Sequence, residues 1–215
     1  MIQFKIGEEE LSFNIVSAFL NGKIDVVLSD ERRIRLEEVR KFVVDHIDSE
    51  HAVYGVNTGF GRLANEKIEL SELEELQTNL IRSHAFGVGE EMDVDAVRMM
   101  MLCRAHVLGM GYSGCSLEVL DLLLEMIKKS VIPAVPSQGS VGASGDLAPL
   151  AFLALAMIGE GESYYKGEKL TSLKALKAAG LKPVKLHAKD GLTLINGTQA
   201  MTALASTAIL KARQL

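Results

Sequence analysis

Tryptophan is absent from this 215-residue chain, aromatic residues make up only 5% of it, and cysteine occurs twice. With so few rings the core must be built from aliphatic side chains, alanine and methionine, which favours packed helices over a β-sandwich. Cys103 and Cys115 lack metal-ligand spacing, which argues against a disulfide framework or a zinc site and fits free buried thiols in a reducing cytoplasm. Long apolar runs are missing too. The longest, Leu147 to Ile158, is too short to span a bilayer. Met1-Ile2-Gln3-Phe4-Lys5 carries no basic segment followed by an apolar core, so no secretory signal is expected and the expected location is cytoplasmic. Positive charge is short as well: a net charge of −5 without any basic cluster argues against nucleic acid or an anionic membrane as the main partner.

What is present is 48% hydrophobic residues, enough at this length to bury a core. Residues 1–28 mix short alternating runs with Gly22 and predict a small strand-containing region. From Asp30 the spacing of Ile34, Val39, Phe42, Val43 and Ile47 predicts a helix with those residues on its inner face. Residues 52–66 hold three glycines without periodicity and predict a long loop, of the kind that is often functional. Ser71 and Glu74 form a capping box ahead of Leu73, Leu76, Leu80 and Ile81. Asp93 is expected to cap a methionine-rich helix to Gly109, Ser116 a helix over Leu117 to Lys129, and Asp146 a helix over Leu147 to Ile158. A hairpin around Tyr165-Lys166-Gly167, a short helix from Thr171 to Ala179 and a last helix from Leu192 to Leu215 complete the pattern.

The most informative stretch is Gly139-Ser140-Val141-Gly142-Ala143-Ser144-Gly145-Asp146-Leu147-Ala148-Pro149-Leu150. Gly145 has no Cβ, so its amide nitrogen can reach the Ala143 carbonyl across a very tight turn. Ring closure with loss of water, then dehydration of Ser144, gives a methylidene group conjugated to an imidazolone. That is an electrophile, which ordinary side chains do not supply. Other patterns carry less. Gly109-Met110-Gly111-Tyr112-Ser113-Gly114 fits a dinucleotide-binding pattern but follows a helix, with no βαβ unit around it, and reads as a turn between helices. Ser144 lacks the frame of a hydrolase nucleophile. His46, His51, His84, His106 and His187 are scattered, so no metal is expected.

Four stretches together resemble the ammonia-lyases that use methylidene-imidazolone (MIO). They are Tyr54-Gly55-Val56-Asn57-Thr58-Gly59-Phe60-Gly61, Asn79 through Gly89, the cyclisation loop, and Leu194-Ile195-Asn196-Gly197-Thr198-Gln199. The resemblance implies a mainly α chain, the N-terminal part of the ammonia-lyase and fumarase-aspartase-like helical fold. A few short strands are expected near the N-terminus and around the loop. It implies residues 1–112 as an N-terminal domain with an active-site loop, and 113–215 as the start of a central helical domain. Ala143, Ser144 and Gly145 would become MIO, Tyr54 the acid/base for the β-proton, and Asn196 a hydrogen-bonding partner of the group or the substrate. Ser83-His84 is similar to the substrate selector of the histidine-specific branch, which turns L-histidine into urocanate and ammonia as a homotetramer. Because a phenol ordinarily titrates near pH 10, such a base needs a positive local field, which helix N-termini can provide.

Simpler roles stand beside these. Tyr54 could anchor its loop by ring packing, His84 could bond a backbone carbonyl, and Asn196 could cap the last helix. Phe152 stands where the family usually has histidine, and members are more than twice as long. A fragment is therefore expected, catalytically silent or nearly so alone, in which cyclisation depends on surrounding structure that enforces the strained turn. Other readings kept open are an MIO lyase or aminomutase for another amino acid, and a truncated, non-catalytic interaction module.

Overall fold

The computed structural model describes residues 1–47, 53–60, 68–69, 72–142 and 144–213. The chain starts with a parallel pair, β1 (Ile2–Lys5) beside β2 (Ile24–Val27), joined through the helix α1 (Phe13–Leu20). Phe4 and Val26 point into the core, as alternation predicts. The helix was not anticipated. It is only two turns long, with a Ser12 hydroxyl accepting from the Ile15 amide at its start, and buries Val16 and Phe19.

Helix α2 (Asp30–Asp45) forms where expected but turns a different face inward. Ile34 and Phe42 are exposed, while Leu36 and Val43 are buried. The inner stripe runs Arg33, Leu36, Arg40, Val43: Arg33 pairs with Asp121 at 2.7 Å and Arg40 reaches Asp190 at 3.5 Å. Two inward-facing arginines hide the stripe from a hydrophobicity count. Helix α3 (Leu73–His84) buries Leu73, Leu80 and Ile81 as predicted, with Gln77 in the place of a further apolar residue. The Ser71 capping box lies outside the described residues.

Next come β3 (Val88–Glu91), α4 (Val94–Gly109), α5 (Leu117–Lys129), β4 (Ile132–Pro133), β5 (Pro136–Gln138) and α6 (Leu147–Met157). Helix α4 is the core's axis: Met99, Met100, Met101 and Leu102 are all essentially inaccessible. Asp93 caps it as expected, accepting from the Asp95 amide. Ser116 sits at the N-cap of α5, but its hydroxyl donates to the buried Asp190 rather than capping. Gly109 ends α4 and residues 110–114 turn the chain toward α5, so the stretch is not a phosphate loop.

Strands β3 and β5 pair antiparallel, and β4 joins the hairpin of β6 (Glu162–Tyr165) and β7 (Glu168–Thr171), whose two turn residues, Lys166 and Gly167, both have positive φ. Helix α7 (Ser172–Ala178) follows, then α8 (Asp190–Ile195) and α9 (Gln199–Ala212). The last two correct the expectation of one helix from Leu192 to Leu215. The chain breaks at Asn196-Gly197-Thr198, where Asn196 is extended at φ −85°, ψ 98° and its carbonyl goes to Arg104 on α4.

Candidate active site

The break between α8 and α9 lies against the Gly-rich loop. Ser144 is in the left-handed region at φ +59°, flanked by Gly142 at +66° and Gly145 at +96°. A non-glycine residue there is strained by about 1–3 kcal/mol, so surrounding contacts must hold it. Those contacts are visible at Gly145. A Cβ on it would overlap the Gly197 carbonyl oxygen and lie 2.8 Å from the Gly197 carbonyl carbon, while the Asp146 amide donates to that oxygen at 2.6 Å.

Asp146 stands at the start of α6, yet its carboxylate does not cap that helix. It accepts from the Met201 amide at 2.9 Å, in the first turn of α9, and from the Ser140 hydroxyl at 2.9 Å. One side chain thus ties the loop to a neighbouring helix and satisfies an orphan amide there. Pro149 falls in the first turn of α6, where its missing N–H costs little. Phe152 packs beside Gly87, its ring 3.0 Å from where a Cβ on that glycine would sit.

The exposed Ser144 lines a cleft of about 640 Å³ that also takes Tyr54, Ser83, His84 and Asn196. These come from four separate stretches of sequence, and the fold brings them together. Gly145 lies immediately behind Ser144; Ala143 lies outside the described residues. The walls are apolar: Phe60, Leu76, Leu80, Leu147, Leu192 and Ile195. Among these Phe60 packs edge-on to Tyr54, with centroids 5.9 Å apart, and Tyr54 remains 55% exposed. Tyr54 therefore has the ring packing of an anchor and, as a residue, is exposed at the cleft as well.

His84 ends α3, half-buried. Its Nδ1 lies 2.8 Å from the Leu80 carbonyl, and the Ser83 hydroxyl donates to the same oxygen. A carbonyl only accepts, so Nδ1 carries the proton and Nε2 is left as an acceptor. Backbone bonding and a role in the cleft are thus compatible at His84. Asn196 is the C-cap of α8, through its backbone amide, and the N-cap of α9 is Thr198, so Asn196 does not cap the last helix.

Sequence reasoning missed Arg104. It is 3% exposed on α4, and burial pushes its pKa down to about 10. The available signal was a lone cation within Met-Met-Met-Leu-Cys-Arg-Ala. The thiols of Cys103 and Cys115 are buried and pushed up to about 12 and about 11, chiefly by desolvation, so neither is a nucleophile at neutral pH. Among the described residues no cluster of side chains suits a metal, and no helix is long and apolar enough to cross a membrane.

The described loop residues fit a ring closed between positions 143 and 145: Gly142, Ser144 and Gly145 are left-handed, and position 145 admits no side chain. Such a loop, set over an apolar cleft with a phenol, an imidazole and a carboxamide in a mainly helical chain, defines the class of aromatic amino acid lyases. Residues 11–215 match the family model for aromatic amino acid lyase, and the chain belongs to that family. It is 44% identical over 215 residues to histidine ammonia-lyase of Alkaliphilus oremlandii, covering all of this chain and 42% of that protein. With histidine ammonia-lyase of Stigmatella aurantiaca the figures are 50% over 192 residues, 89% and 38%. The solved histidine ammonia-lyase of Trypanosoma cruzi superposes with a TM-score of 0.90 at 37% identity, over 99% of this chain and 42% of that one. Pantoea agglomerans phenylalanine aminomutase gives 0.91 at 33%, over 99% and 41%. The chain spans about two fifths of the length of these relatives.

Proposed function

We propose that this chain carries the electrophile-forming loop and substrate cleft of a histidine ammonia-lyase, which converts L-histidine to urocanate and ammonia. The observation that carries this reading is the convergence of Tyr54, Ser83, His84, Ser144 and Asn196 on one cleft. Ala143, Ser144 and Gly145 would form MIO, which would supply the electron sink that an ammonium group beside a carboxylate lacks.

The other residues bind and move protons. His84, with Nδ1 committed to Leu80, offers Nε2 to the N–H of the substrate imidazole. Ser83 fixes the end of α3 on which that imidazole sits. The exposed phenol of Tyr54 faces the cleft as the group that takes the β-proton, held at its ring by Phe60. Asn196 orients the substrate or the ring by its carboxamide, and the apolar walls exclude water. The exposed Met201, Leu204 and Ile209 of α9 support a working protein in which that face is covered, as in a homotetramer.

The test uses protein of natural length and assembly. Urocanate and ammonia should appear from histidine, with little or no ammonia from tyrosine or phenylalanine, and Ser144→Ala should abolish the reaction. Release from phenylalanine or tyrosine in preference to histidine, or an active Ser144→Ala protein, would overturn the reading.

A further inference from the structure

We infer that Arg104 is a positioning residue for the cyclisation loop: it holds the Asn196-Gly197 turn against the backbone of Gly145 and Asp146. Its bearing on loop geometry stands on distances alone, whereas its bearing on ring closure rests on the function proposed above.

A guanidinium in this place is costly. Arg104 is buried among the methionines and leucines of α4, and no carboxylate among the described residues pairs with it. Its Nε is buried with no hydrogen-bond partner. Methionine of similar volume would avoid that desolvation. What the arginine supplies is one nitrogen shared between two oxygens at the helix break. Nη1 donates to the Asn196 carbonyl at 3.2 Å and to Gln199 Oε1 at 2.9 Å. In a continuous helix the Asn196 carbonyl would accept from the amide of residue 200. Arg104 takes that acceptor instead, so α8 and α9 stay separate.

Gly197 is then held from two sides. A Cβ on it would overlap Gln199 Oε1, which Arg104 Nη1 holds, and lie 2.5 Å from Nη1 itself, so the guanidinium and the amide it bonds both press on that side. Its carbonyl oxygen, on the other side, receives the Asp146 amide at 2.6 Å and blocks any side chain at Gly145. The Gly197 peptide is therefore a spacer between a fixed cation and the strained turn at Ser144. Asp146 completes the clamp through the Met201 amide of α9. Loosening Arg104 lets Gly197 retreat and removes the backing that keeps Gly145 folded over.

The experiment compares Arg104→Met and Arg104→Lys with the parent chain by residue-resolved amide hydrogen exchange. The readout is protection of Asp146 and Met201 relative to Leu123, a buried reference on α5. A merely structural role lowers all three together. The brace predicts that Arg104→Met lowers the Asp146-to-Leu123 ratio by about ten-fold, the worth of a lost hydrogen bond. Arg104→Lys should keep most of it, because a single ammonium can serve both oxygens that Nη1 serves. An unchanged ratio in Arg104→Met, or a lysine variant that falls as far as methionine, overturns the inference. The second readout is the mass of the Ser144 peptide in protein of natural length. A two-water deficit in the parent that is reduced in Arg104→Met supports the link to ring closure, and equal deficits refute it. No deficit in the parent refutes the proposed function, while the exchange ratio still decides the brace.

Discussion

Gly145→Ala should be far more damaging than Gly142→Ala, although both glycines are left-handed members of the same loop. Each substitution places a Cβ at positive φ, +96° and +66° respectively, at a common cost of about 1–2 kcal/mol. They differ in what the new methyl meets. At Gly142 nothing lies within 4 Å. At Gly145 the Cβ lies 2.8 Å and 2.9 Å from the carbonyl carbon and amide nitrogen of Gly197 and overlaps its oxygen. Backbone cannot swing aside as a flexible side chain does, so overpacking adds about 1–3 kcal/mol. The Asp146 amide bond to the same oxygen is lost with it, at about 1 kcal/mol. Urea unfolding with a common slope should therefore place Gly145→Ala about 2–4 kcal/mol below Gly142→Ala. Equal midpoints for the two variants would refute the claim that Gly197 backs the turn.

Asp146→Ala removes the acceptor of the Met201 amide and the Ser140 hydroxyl, and should cost about 1–2 kcal/mol of unfolding free energy in urea titrations, with Asp146→Asn between it and the parent. His106 accepts the Gly7 amide at 3.1 Å through Nδ1 and is held below its ordinary pKa by burial. The unfolded chain thus binds the proton more readily. The neutral ring's contribution is complete above about pH 6.5 and is lost as pH falls from there toward the lowered folded-state value. A His106→Gln chain should show a flatter dependence across that window in thermal melts, and an unchanged slope would contradict the assignment. Asp190→Ala strips the partner from Ser116 and the His187 amide and the counter-charge from Arg40, which keeps its bonds to the Gly114 and Ala188 carbonyls, and should cost about 3–5 kcal/mol by denaturant titration. In protein of natural length, His84→Leu should raise KM for histidine at least about ten-fold, one charge-assisted or well-aligned hydrogen bond's worth, with steady-state kinetics as the check.

The helices α4, α5 and α6 were legible from the polar residue that opens each and the apolar run behind it, and lie within a residue or two of expectation; α3 shows its apolar stripe but ends at His84, three residues short of Gly87. So were the β6–β7 hairpin and the five residues that gather in the cleft, the latter through motif resemblance rather than periodicity. Failures occurred where a charge replaces an apolar contact. Arg33 and Arg40 form half the inner stripe of α2, so the exposed Ile34 and Phe42 misdirected the face. The break at Asn196-Gly197-Thr198 depends on Arg104, ninety-two residues away in sequence, and no local pattern in an alanine- and threonine-rich run announces it. Asp146 has the position of a cap but spends its carboxylate on another helix, a choice made by tertiary contact. Short α1 fell below the length at which helical spacing separates from alternation.

The central claim is that Ser144 and its neighbours close into a ring. Peptide mass mapping of protein at its natural length and assembly tests it most directly. The account predicts a deficit of two waters confined to the peptide holding Ser144 and absent from Ser144→Ala. A peptide of full, unmodified mass in protein that deaminates histidine would contradict it.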